Sequence, residues 1–153
     1  MNKLIVDTNL LLLIVIGAID DGKYIKSSKR LNDYNEKDYQ TVLEFISLYD
    51  EVFITPYIAT EVSNLIDLDR TVRDKVFEFA REFFKTLIHI ASDINNDSIG
   101  DSFIKYGLTD NSLIRLVNDY HILTNDDRLC EYLVLINQKN VIPYSIAKKV
   151  ATI

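Results

Sequence analysis

Apolar residues fall along this chain in short runs separated by stretches of helical spacing. Lys3 to Val6 is a brief run closed by Asp7, and it reads as a buried strand. Leu10 to Ile19 reads as a buried helix, closed by polar Asp20, Asp21 and Gly22. Residues 20–38 are polar and rich in Asn, Asp, Lys and Ser, which predicts a loop or a loosely held segment. Within Asp38 to Tyr49, apolar Val42, Leu43, Phe45, Ile46 and Tyr49 recur at helical spacing. Glu51 to Thr55 reads as a second strand. Thr55-Pro56 is a helix start, with Thr at the N-cap and Pro at the first helical position, and that helix should run to about Asp67. Arg70 to Lys85 carries Val72, Val76, Phe79, Ala80 and Phe83 on one side, the pattern of another helix. Thr86 to Ala91 reads as a third strand. Residues 92–108 are polar, with a helical turn around Gly100 to Tyr106. Thr109 can cap a helix from Asp110 to Asp119, Tyr120 to Thr124 reads as a fourth strand, and Asp127 to Asn137 as a helix. Val141-Ile142 starts a short fifth strand.

Strands alternating with helices predict an α/β fold with a mostly parallel sheet and right-handed crossovers. At 153 residues the chain reads as one domain, 1–153, long enough to bury a sizeable core. Two His and one Cys, Cys130, exclude a zinc finger and a disulfide framework. With 17 Lys and Arg against 23 Asp and Glu, the net charge is −6. That argues against a module that coats nucleic acid, though not against a metal-dependent enzyme whose own site is acidic. Near the N-terminus, Asp7, Thr8 and Asn9 interrupt the apolar stretch, as a signal peptide would not allow. The uninterrupted run Leu10 to Ile16 is far shorter than the ~20 residues of a membrane span, so the expectation is a soluble, cytoplasmic protein with no membrane partner.

In open parallel sheets, ligands bind outside the carboxyl ends of the strands. Asp7 follows the first strand and Asp126 the fourth, two residues after Thr124. Glu61 lies early in the helix after the second strand, at the edge of the stripe made by Ile58, Val62 and Leu65. Asp110 opens the helix before the fourth strand and shares the apolar face of Leu113, Ile114 and Val117. Asp7 and Asp126 would serve equally as helix caps, and Glu61 as an exposed helical acid. Four converging carboxylates repel one another unless a cation stands between them. Mg²⁺ or Mn²⁺ suits oxygen ligands, and it brings phosphate-handling chemistry with it.

These residues have a familiar order. Leu4-Ile5-Val6-Asp7-Thr8-Asn9 resembles the opening strand and Asp-Thr-Asn signature of PIN-domain nucleases. Pro56 to Leu65, with Glu61, resembles the second motif of that family. Gly107-Leu108-Thr109-Asp110 resembles the third, and Ile122-Leu123-Thr124-Asn125-Asp126 the fourth. The resemblance spans nearly the whole chain. It implies a three-layer α/β/α fold around a sheet of four or five strands in the order 3-2-1-4-5. It also implies Mg²⁺- or Mn²⁺-dependent cleavage of RNA, with Asp7, Glu61, Asp110 and Asp126 as metal ligands or water-orienting acids. Thr8 and Asn9 would brace the site, and Thr124 would orient the last acid. Many small bacterial members are VapC-type toxins, which implies an antitoxin protein and a second copy of the chain as partners.

Lys23, Lys26, Lys29 and Arg30 form a segment with four positive charges and no acid. It is a candidate RNA-backbone contact, with Tyr24 and Tyr34 available for base stacking; the alternative is a solvated loop. His89 and His121 sit in apolar strands and read as core histidines. Cys130 reads as a packed apolar residue whose neighbours Asp127 and Glu131 discourage nucleophilic use. The competing functional reading is a non-catalytic PIN-like interaction module, in which the apolar stretch Leu10 to Ile16 would serve as a dimer face rather than a buried helix.

Overall fold

A computed structural model describes residues 2–151. The described residues form a five-stranded sheet, all parallel, in the order β3-β2-β1-β4-β5. The strands are β1 (Lys3–Val6), β2 (Glu51–Ile54), β3 (Ile88–His89), β4 (His121–Thr124) and β5 (Val141–Pro143). The helices are α1 (Thr8–Gly17), α2 (Glu36–Ile46), α3 (Pro56–Asn64), α4 (Arg70–Thr86), α5 (Ile94–Asp97), α6 (Asp101–Leu116), α7 (Asp127–Asn137) and α8 (Tyr144–Ala151). From β1 the chain winds outward through β2 to β3, then returns to β4 on the other side of β1. Right-handed crossovers in opposite directions put helices on both faces of the sheet. In agreement, α1 packs with α2, α3 and α4, whereas α6 packs with α5 and α7. The expected three-layer α/β/α architecture and strand order are thus present.

Helix α1 decides where the core sits. Leu10 through Ile16 are each no more than 1% exposed, because the helix is covered by the sheet on one side and by its neighbouring helices on the others. The apolar stretch is therefore deeply buried and is not a free face. Truncating one of these leucines to Ala should cost about 2–5 kcal/mol. At its end, Gly17 lets α2 come close: a Cβ there would stand 2.3 Å from the Tyr39 ring. Asp20, Asp21 and Gly22 then turn the chain in left-handed backbone, which Asp and Gly tolerate better than bulkier residues.

Several sequence expectations need correction. Residues 20–38 are not loosely held. Two 3-10 turns (Asp20–Gly22 and Ile25–Ser27) lead into α2, and Ile25, Leu31 and Tyr34 anchor the segment in the core. Three well-spaced apolar side chains suffice to pin a polar stretch that has no periodicity. β3 is two residues long, not six. As an edge strand it pairs only with β2, which ends at Ile54 where Thr55 caps α3 through a bond to Ile58 N. His89 is consequently exposed, with Nε2 against the Phe84 carbonyl, and is no core histidine. His121 is half-buried in β4, where its Nδ1 meets the Tyr49 hydroxyl at 2.9 Å. The helix expected from Asp110 is the second part of α6, whose two parts meet at Gly107 (φ 82°, ψ −178°). Helix α8 is not predicted from the sequence; it packs against α2 and β5. Among the described residues, no helix is long and apolar enough to cross a membrane.

Candidate acidic site at the carboxyl edge of the sheet

The topological switch point lies between β1 and β4, whose register pairs Val6 with Leu123. One residue further on, the chain of β1 delivers Asp7 as the N-cap of α1, and β4 delivers Thr124 beside it. The Thr124 hydroxyl donates to Asp7 Oδ2 at 2.7 Å and accepts from the Asp126 backbone N–H at 3.1 Å. Thr124 thus orients both acids, not the last one alone. Asp126 caps α7, with Oδ1 accepting from Leu129 N, and is itself exposed. Capping and a place at the site are compatible for this residue, because one carboxylate oxygen is left over.

Glu61 reaches the same place from the second turn of α3. Two hydroxyls hold it: Thr8 Oγ1 donates to Oε1 at 3.1 Å, and Thr109 Oγ1 donates to Oε2. Thr109 was expected as a helix cap; its hydroxyl instead ties α6 to α3. Asp110 follows, half-buried, just beyond the break at Gly107. Left-handed φ at Gly107 is open to glycine and strained for other residues, and it lets α6 change direction so that Thr109 and Asp110 face the strand ends. All four predicted acids, together with Thr8 and Asn9, line one cavity of about 210 Å³. Arg30 and Tyr106 complete its rim.

The electrostatics of this cavity are unbalanced. None of the four acids forms an ion pair with Lys or Arg among the described residues. Burial pushes the Asp7 carboxyl up from its ordinary value, against the lowering bonds from Thr124 and Thr8; Asp126 and Glu61 push it further. Asp110 is pushed up to about 7, first by burial and then by the charges of Asp7, Asp126 and Glu61, with Arg128 opposing. Negative charge is crowded here beyond what the protein itself neutralises.

A part-buried network ties α6 to α5 and α3 around Asn111, the residue after Asp110. Asn111 Nδ2 donates to the carbonyls of Asp97 (2.7 Å) and Ile99 (3.1 Å), while its Oδ1 accepts from the Ser102 hydroxyl at 2.6 Å. Asp97, fully buried, accepts from Arg115 Nε at 2.6 Å and from the Tyr57 hydroxyl at 2.7 Å. Burial acts to raise the Asp97 carboxyl, but these two bonds and the Arg115 charge outweigh it and hold the group below its ordinary value. At the rim, the Tyr106 ring meets Tyr132 edge-on at 5.4 Å and carries the Arg128 guanidinium 5.2 Å from its centroid.

The sequence pattern found the four acids and missed what holds them. Buried Asn111 and Ser112, polar on the helix that follows Asp110, were the available signal for the network. Asp97 and Arg115 gave none, since their pairing depends on where α5 lands. The basic segment separates. Arg30 reaches the acidic cavity, but Lys23 and Lys26 line a different one with Asn35 and Glu36. Lys26 Nζ is bonded to the Asn32 carbonyl, and Lys29 is tethered through its backbone N–H to Asp67. Tyr34 is only 8% exposed, so its ring faces are not open for stacking. Tyr24 is half-buried with Lys23 over its ring.

The donor set is all oxygen, from carboxylates and hydroxyls, which is the chemistry of Mg²⁺ and Mn²⁺ rather than of zinc. Among the described residues, no three His, Cys, Asp or Glu side chains stand close enough to form a ready ligand set. Mg²⁺ does not require one, because it keeps several waters and is usually held by one or two carboxylates plus substrate phosphate. The chain matches no family model and no curated protein.

Proposed function

We propose that this protein is a Mg²⁺- or Mn²⁺-dependent endoribonuclease. The observation that carries the proposal is the convergence of Asp7, Glu61, Asp110 and Asp126, from four separate segments, on one cavity at the switch point of a parallel sheet. The cavity has an excess of negative charge and, among the described residues, no Lys or Arg paired to those acids. The order of the motifs, which resembles that of PIN-domain nucleases, supports the same reading. A divalent cation there supplies charge neutralisation at a phosphate oxygen and lowers the pKa of a water.

The chain's own residues then have distinct tasks. Asp7, fixed by Thr124, and Asp126, fixed as a helix cap, would hold the cation. Glu61, held on both oxygens by Thr8 and Thr109, keeps one orientation in which to direct a water. Asp110, pushed up to about 7, is suited to accept or return a proton near neutral pH. Arg30, at the rim, meets the RNA backbone. The toxin role, with an antitoxin and a second copy as partners, and a cytoplasmic location rest on the family resemblance and the sequence reading.

The test is single-turnover cleavage of a mixed structured-RNA pool with Mn²⁺, comparing the unaltered protein, Asp7→Asn and EDTA. Cleavage should fall by at least roughly 100-fold in both controls, since even residues that only support metal ligands typically contribute 10–100-fold. Absence of both cleavage and metal binding would return the protein to the reading of a non-catalytic interaction module.

A further inference from the structure

A cavity lined by four carboxylates repels the backbone of a nucleic acid, so the strand needs cations beside the cavity to hold it there. We propose that Arg128, held against the rim residue Tyr106, is a positioning residue that grips an RNA backbone phosphate next to the one cleaved. The proposal rests on the nuclease reading for its substrate class.

The arrangement is built by two helices. Tyr106 is the last residue of α6 before the break at Gly107, and it lines the acidic cavity. Arg128 and Tyr132 stand four residues apart on α7 and so share one face of that helix. Tyr106 packs onto that face. Its ring meets Tyr132 edge-on at 5.4 Å between centroids, and the Arg128 guanidinium lies 5.2 Å from the Tyr106 centroid. An arginine already held against a ring has less freedom left to lose when it engages a ligand.

The fold does not otherwise use this cation. Among the described residues Arg128 forms no hydrogen bond and no ion pair, although Asp127 and Glu131 are close to it on the same helix. It sits in the first turn of α7, where a positive charge is set against the helix dipole. Its field nevertheless reaches the site. Burial and the charges of Asp7, Asp126 and Glu61 raise the Asp110 carboxyl, and Arg128 opposes them.

Tyr106 lines the cavity, but Arg128 does not. An arginine beside the cavity meets the strand that runs into it rather than the reacting phosphate. Its planar fork suits two oxygens of one phosphate. Lys105 Nζ lies 5.3 Å from the same Tyr106 centroid and adds a point charge without a fork. Arg30 lines the cavity from a separate segment of the chain. The two arginines thus give the strand two points of attachment around an acidic interior.

The experiment has two arms. In the first, binding of a fluorescein-labelled single-stranded RNA of mixed sequence is followed by anisotropy over about 50–200 mM salt. The Asp7→Asn protein serves as parent, so that the RNA stays uncut. Adding Arg128→Ala should reduce the slope of log affinity against log salt by about 0.7, the value of one phosphate contact to a single strand. Arg81→Ala on α4, with the same loss of charge, should keep the parent slope. Arg128→Lys should keep the slope but bind more weakly than the parent. Tyr106→Leu should weaken binding, and Tyr106→Phe should restore it. In the second arm, single-turnover cleavage with Mn²⁺ is measured with Asp7 intact. Arg128→Ala should raise the half-saturating RNA concentration by more than it lowers the plateau rate. A lower plateau with unchanged half-saturation overturns the proposal and moves Arg128 to the reacting phosphate. An unchanged salt slope in Arg128→Ala, or an equal fall in Arg81→Ala, also overturns it, and cleavage by the unaltered protein would then leave the nuclease reading intact. A slope reduced only at Arg128, with no cleavage by the unaltered protein, keeps the RNA contact and removes the nuclease reading instead.

Discussion

Two buried carboxylates, Asp7 and Asp97, have opposite characters. Asp97 is fully buried and satisfied: Arg115, Tyr57 and the Asp93 N–H all donate to it. Its acidity is held below the ordinary value despite its burial. Asp7 is almost as buried, at 9% exposure, and has only a hydroxyl and one N–H for company, with Asp126 and Glu61 close enough to repel it. Burial alone does not set the character of an acid. The difference lies in whether the protein supplies the compensating cation. For Asp97 it does, and the group locks α5 and α3 to α6. For Asp7 it does not, and burial with the neighbouring acids pushes its carboxyl up from the ordinary value instead.

The comparison can be broken most forcefully at Asp97. Asp97→Ala removes two charge-assisted bonds at a buried position. It should destabilise by about 2–3 kcal/mol and lower the melting temperature by roughly 4–12 °C in a calorimetric scan. An unchanged melting temperature would show that Arg115 and Tyr57 find other partners.

The next effect is the pH dependence of the two regions, which have opposite signs. Asp110 keeps its proton to about pH 7 in the fold and to its ordinary value of 3.8 when unfolded. Between those values the folded state binds more protons, so this contribution to stability declines as pH rises. Asp97 contributes stability above its ordinary value and loses it as pH falls. With EDTA, urea titrations from pH 4 to 7 should show a decline that Asp110→Asn reduces and added Mn²⁺ at pH 7 reverses. A variant with the full slope would remove Asp110 from the crowded cavity.

A smaller change is expected at the hydroxyls. Thr8→Val or Thr109→Val frees one Glu61 oxygen, and each should reduce RNA cleavage roughly tenfold while leaving Mn²⁺ affinity close to that of the unaltered protein. A large loss of affinity with either variant would make Glu61 a direct ligand and not a water-orienting group.

The smallest effect sharpens the contrast most. Asp7→Asn removes the uncompensated charge and should stabilise the metal-free protein by about 0.5–1 kcal/mol, while abolishing cleavage. Destabilisation instead would place Asp7 in the same structural class as Asp97.

Strands β1, β2 and β4 and helices α1, α4 and α7 were legible in the sequence, because each has a period or cap that is local in the chain. The acids were legible for a related reason. Asp7 directly follows β1 and Asp126 stands two residues after β4, and a parallel sheet must present its strand ends along one edge. Residues 20–38 misled, since their order depends on Ile25, Leu31 and Tyr34 finding sites in a core built by distant segments. β3 and His89 misled as well. The length of an edge strand is set by its one partner, and β2 ends where Thr55 begins a helix.

By itself, then, the sequence determined the α/β architecture and singled out four carboxylates, two of them just after strands and two on helices. Those properties follow from side-chain period, capping and apolar run length, which act between near neighbours in the chain. Only the tertiary structure decided that Thr109 serves Glu61 and not its own helix. Only there does Asp97 meet Arg115, and does Arg30, alone of the four basic residues, turn toward the acids. Each of these pairings joins residues from different segments. Their energies depend on distance and burial, which no stretch of sequence contains until the layers have packed.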